Sequence, residues 1–129
     1  SYRKMTSLIL PMKYSLLPSW VVTDTDISHA AVRTCAALCC FTSANGIAYP
    51  NQSTLAALRG VSQQAISLQL KQLREAGAVI DLEPVGQKHP DAFQRGSRYF
   101  VPIRPGDQPP PLEVIRSDIL APVRRPPNE

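Results

Sequence analysis

Between residues 27 and 82 the apolar positions recur first at helical spacing and then at strand spacing. In "ISHAAVRTCAALCCFTSA", residues 27–44, Ile27, Ala31, Cys35 and Leu38 fall on one stripe, with Val32, Cys39 and Phe41 beside or across from it. A helix so patterned is buried over much of its circumference. Ser28 is its expected N-cap, and Asn45-Gly46, both tolerant of left-handed backbone, its expected stop. "IAYP" reads as a short strand. Asn51 caps a second helix over "QSTLAALR", residues 52–59, which Gly60 ends. Ser62 caps a third over "QQAISLQLKQLREA", residues 63–76, where Ile66, Leu70 and Leu73 make one buried stripe at i, i+4, i+7 and Gly77 closes the helix. After Gly77 the period shortens to two. "AVIDLEPV" alternates as a strand and "RYFVPI" as another, around the turn-rich loop "GQKHPDAFQRGS", with Pro102 marking the end of the pair.

The flanks carry weaker patterns. Residues 1–26 read as an arm of extended segments broken by prolines, in which "SLIL" and "SWVV" are each a short strand or simply a packing segment and Trp20 pins the arm to the core. From Arg104 the chain turns proline-rich; "PLEVIRSDIL" sets Leu112, Ile115, Ile119 and Leu120 at near-helical spacing. Residues 104–129 are therefore either a disordered tether or a tail with a short docking helix at 112–120. The division expected is an arm (1–26), a folded domain (27–103) and a tail (104–129). At 129 residues, the chain supports one modest core. No apolar run approaches the roughly 18 residues of a spanning helix, since Pro11, Lys13 and Pro18 break the longest. No membrane partner is expected and a signal peptide is disfavoured. The first residue is Ser and the last segment is proline-rich, which reads as a domain cut from a longer protein.

Charge sharpens the picture modestly. The chain carries a net +4, which permits a polyanionic partner without demanding one. Over residues 27–103, Arg33, Arg59, Lys71, Arg74, Lys88, Arg95 and Arg98 outnumber Glu75, Asp81, Glu83 and Asp91 to leave +3, so the excess lies in the domain and not in the charge-balanced tail. Cys35, Cys39 and Cys40 cluster in one helix, a poor disulfide framework and too few ligands for zinc; they read as small core residues. His29 and His89 lack neighbouring ligands. Tyr99 and Phe100 could stack on bases, although on a strand one ring normally turns inward. No phosphate loop, nucleophile elbow or carboxylate pair is present, so neither catalysis nor a cofactor or metal is expected.

The stretch "STLAALRGVSQQAISLQLKQLREAGAVIDL", residues 53–82, resembles the winged helix-turn-helix domains of bacterial transcription regulators and of plasmid and phage replication initiators. Ala56 matches the small residue where the helices touch, Gly60 the turn, Val61 the apolar plug and Ser62 the cap. Ile66, Leu70 and Leu73 match the buried face of the recognition helix, and "REAGAVI" its exit into the wing. The resemblance spans residues 27–103. It implies an α+β fold, a three-helix core with a two- to three-stranded β-hairpin wing, and double-stranded DNA as the partner, in the bacterial cytoplasm at the nucleoid or a plasmid.

The residues themselves agree with that implication. A helix enters the major groove only if its outer face is free of bulk and its first turn exposed. With the apolar stripe inward, the opposite face presents Gln63, Gln64, Ser67, Leu68 and Lys71, following Ser62. Asn51, Gln52 and Ser53 open the second helix, whose N–H groups suit a phosphate. Lys88, Arg95 and Arg98 sit on the hairpin over residues 84–98, where a basic wing would meet DNA. Glutamine pairs with adenine edges, so specificity would rest on a few adenine or thymine contacts, each worth about 1–3 kcal/mol. Leu68 departs from the pattern, standing where many DNA readers carry arginine: it either touches a thymine methyl or belongs to a protein contact. The runner-up is thus a winged-helix interaction module, with Leu68 and "LEVIRSDIL" binding a partner protein or a second copy in a homodimer. A single-stranded nucleic-acid binder ranks third, because only 6% of residues are aromatic.

Overall fold

Three serine and asparagine caps and two left-handed glycines set the frame of the helices. A computed structural model describes residues 14–82 and 98–118. Helix α1 spans Ser19–Thr23, α2 His29–Leu38, α3 Gln52–Arg59 and α4 Gln63–Glu75. Ser28 Oγ accepts from the Ala31 N–H, Asn51 Oδ1 from Thr54, and Ser62 Oγ from Ala65, at 3.2, 2.8 and 3.1 Å. Each satisfies one of the amides that a helix start leaves without an intrahelical partner. Gly60, at φ +68°, turns α3 sharply towards α4 while the Val61 N–H bonds back to the Ala56 carbonyl. Gly77, at φ +77°, ends α4 in the same fashion, with Ala78 N–H on the Leu73 carbonyl.

Two local expectations give way to packing. "SWVV" winds into α1 and is not a strand: Val21 is buried and the Trp20 indole donates to the Pro102 carbonyl at 3.1 Å, so tertiary contacts override the β-preference of the paired valines. Helix α2 stops at Leu38, six residues before the expected end. Cys40 and Phe41 bond back over three residues, the Thr42 hydroxyl donates to the Cys39 carbonyl, and Ser43 N–H reaches the Ile47 carbonyl at 2.8 Å. Asn45-Gly46 therefore belongs to the turn that delivers the next strand. The segment "SLIL" lies outside the described residues.

The sheet is small and antiparallel, ordered β1 (Ile47–Ala48), β3 (Arg98–Phe100), β2 (Ile80–Leu82), with β3 central. Ile47 and Ile80 both pair with Phe100, Ala48 and Asp81 with Tyr99, and Leu82 with Arg98. Alternation along a strand sends partners to the same face. Ala48 and Tyr99 face the main core, built from Val21, Ala31, Cys35, Leu38, Leu55, Ile66, Leu70 and Leu73. Ile47, Leu82 and Phe100 face the other way, where Ile115 covers them. Ile115 comes from α5, Leu112–Asp118, within the window that the tail pattern marked. The result is an α+β architecture, the expected class, with both sheet faces buried. Cys35 and Cys39 are buried and none of the three cysteines is in a disulfide; burial also pushes the Cys40 thiol above its usual range.

Candidate nucleic-acid interface

Helix α4 presents one clean polar face because its apolar residues are spent inward. Ile66, Leu70 and Leu73 are fully buried against α2 and α3, whereas Gln63, Gln64, Ser67, Leu68 and Lys71 are exposed along the opposite side. From Gln63 to Lys71 that face runs about 12 Å at the usual helical rise. Glu75 is exposed near its far end, where a carboxylate repels phosphates, so the useful surface is the first three turns. At 69% exposure, Leu68 is the most exposed large apolar side chain among the described residues.

Two glutamines on the shoulder of α4 fix how this face is presented. Gln72 Oε1 accepts from the Ser28 N–H at 2.8 Å, and Gln69 Oε1 accepts the Thr34 hydroxyl. Thr34 also accepts from Arg59 Nε at 3.0 Å, and Arg59 Nη2 donates to the Ala30 carbonyl at 3.2 Å. A side-chain network thus ties α2, α3 and α4 together at the level of the turn. Sequence reasoning missed it, although Gln69 and Gln72 stand three residues apart on the boundary between the buried and exposed stripes. Arg74 is also engaged: its Nε lies 2.7 Å from Asp81 Oδ2 on β2.

The start of α3 lies beside the same turn in sequence. Asn51 and Ser53 are exposed and Gln52 half-buried. The Ser53 hydroxyl donates to Asn51 Oδ1 at 2.7 Å, the same oxygen that accepts from Thr54 N–H. Asn51 and Ser62 therefore both serve as caps, which fixes their side chains where they are exposed.

The hairpin requires a correction. Lys88 and Arg95 lie outside the described residues. Arg98, expected on the wing surface, is only 6% exposed. It occupies the central strand on the face shared with Phe100 and Leu82, and α5 covers that face. Its charge lowers the Tyr49 phenol pKa, whereas burial, first, and then Asp118 raise it, with a net rise. Tyr99 and Phe100 are both buried, one in each core, so neither ring offers a stacking platform. On the back of the sheet, Asp118 Oδ1 accepts from Ser43 Oγ at 2.6 Å and Asn45 Nδ2 at 2.8 Å, tying α5 to the turn before β1.

Other features offer little chemistry. An open cleft of about 510 Å³, lined by residues including Val22, Ile27, His29, Val32 and Arg33, is mostly apolar. Among the described residues no cluster of His, Cys, Asp or Glu could hold a metal ion, and no helix is long and apolar enough to cross a membrane. Neither the curated proteins nor the solved structures provide a match. Residues 25–79, which hold α2, β1, α3 and α4 and their connecting turns, match the family model of a helix-turn-helix domain, and this supports a helix-turn-helix DNA-binding domain in that part of the chain.

Proposed function

We propose that the protein is a non-catalytic binder of double-stranded DNA that inserts residues 63–71 of α4 into the major groove, with the segment over residues 84–97, which carries Lys88 and Arg95, as a basic wing beside it. The observation that carries this reading is the exposed face of Gln63, Gln64, Ser67 and Lys71 on a helix whose opposite side is fully buried. The biological role is replication initiation or transcription control in a bacterial cytoplasm, with a mobile element among its settings. That assignment follows from the winged-helix resemblance and is an analogy at the level of fold.

Phosphate contacts would supply most of the affinity. Titrating the full chain with labelled random duplex should then give binding that weakens steeply with salt, by about 0.9 log units per decade of salt for each neutralised phosphate. A Gln63/Gln64/Lys71 triple alanine variant should bind more weakly and with a shallower salt slope. Salt-insensitive or absent binding by the wild type would refute the proposal, and equal binding by the variant would refute the role of α4.

One observation favours a second reading, a protein-interaction module: Leu68 is apolar and exposed. The other element of that reading is weakened, since Ile115 of "LEVIRSDIL" is consumed inside the chain against Ile47, Leu82 and Phe100.

A further inference from the structure

We infer that the exposed face of α4 reads A·T base pairs, with Leu68 packing against the 5-methyl group of a thymine; this rests on the DNA-binding reading above. The first support is what has been withdrawn from the face. Arginine is the commonest reader of guanine, and two arginines flank α4, Arg59 before it and Arg74 in its last turn. Arg59 donates to Thr34 and to the Ala30 carbonyl, and Arg74 pairs with Asp81. Both guanidinium groups are turned to internal partners. The only cation on the exposed stripe is Lys71, whose compact charge suits a phosphate better than the forked edge of a guanine.

What remains is complementary to A·T. Gln63 and Gln64 have the paired donor and acceptor that match adenine N7 and N6. Leu68 lies one turn beyond Gln64 on the same side and three residues before Lys71. Among the four bases, only thymine offers a methyl group in the major groove. A shallow notch of about 240 Å³, bordered by Ser28, Ala65, Leu68, Gln69 and Gln72, leaves one flank of the leucine unpacked. The Gln72–Ser28 and Gln69–Thr34 bonds hold the helix carrying these groups in fixed register against α2.

The test uses the full chain. Binding sites are first selected from a random duplex pool, and each thymine of the selected site is then replaced singly by deoxyuridine, which removes only the methyl. One replacement should weaken wild-type binding about fourfold, the cost of returning one methyl-sized group to water. The same replacement should have almost no effect on Leu68→Ala, which should itself bind the parent site about fourfold more weakly. Leu68 is exposed and alanine favours helix, so this variant keeps its fold, as its circular dichroism will report. A selected site with guanine at the positions that α4 reads, or a thymine-to-uracil penalty equal in both proteins, overturns the inference and leaves DNA binding intact. Loss of all salt-sensitive duplex binding overturns both.

Discussion

Gly60 isolates a backbone effect unusually well. Its φ of +68° is left-handed, yet a Cβ built there meets no atom within 4 Å. Gly60→Ala should therefore cost about 1–2 kcal/mol through backbone strain alone, and Gly60→Asn less, because asparagine tolerates this conformation. Denaturant unfolding of the two variants will read the difference; equal losses would mean that space, not backbone, is limiting. Tyr49 offers a different probe. Burial, reinforced by Asp118, holds its phenol pKa above the ordinary value near 10 despite Arg98. The folded state thus grips the phenolic proton more tightly than the unfolded chain does. The stability this provides is complete below about pH 10 and is lost as pH rises through the folded pKa. Cys40 acts in the same direction from about pH 9. Tyr49→Phe should consequently flatten the loss of stability above about pH 10, leaving the Cys40 contribution that sets in from about pH 9; an unchanged profile would show that the phenol does not titrate against the fold.

At the level of elements, the sequence was most legible where local signals decide. The bounds of α3 and α4 follow from Asn51, Gly60 and Ser62, whose effects reach only a turn or so along the chain. The end of α2 was illegible because "CCFTSA" continues an apolar, helix-compatible run; what stops it is the bond from Ser43 N–H to Ile47 and the pairing of Ile47 with Phe100, fifty-odd residues later. The same contrast divides the site. The exposed face of α4 follows from its own periodicity. The diversion of Arg59 and Arg74 does not, because their partners Thr34, Ala30 and Asp81 lie on other elements. Arg98 was misread for a related reason: a basic residue on a presumed wing looks exposed until another element covers its face. That element is α5. Ile115→Ala should destabilise the protein by about 2 kcal/mol or more, the lower range for a buried isoleucine. Asp118→Ala should cost about 1–3 kcal/mol by stranding the Ser43 and Asn45 donors. In both, amide exchange should accelerate in β1 and β3 more than in α4; uniform acceleration would mean that α5 supports the whole core rather than the sheet.

For the molecule as a whole, the design separates a cross-braced helical unit from the sheet that supports it. The three-helix network is cross-linked near the turn by side chains that hold α4 against α2, while the sheet is buried between the main core on one face and α5 on the other. The bond from Ser43 to Asp118 joins residues 75 positions apart. During synthesis, α2, α3 and α4 have all emerged long before α5 exists to close the back of the sheet. The helix-turn-helix can thus assemble from short-range contacts, whereas the strands complete their burial only when the last described helix arrives. The timing of folding is written into chain order: β1 and β2 both wait for β3, the central strand, and are open until then to mispairing with another chain.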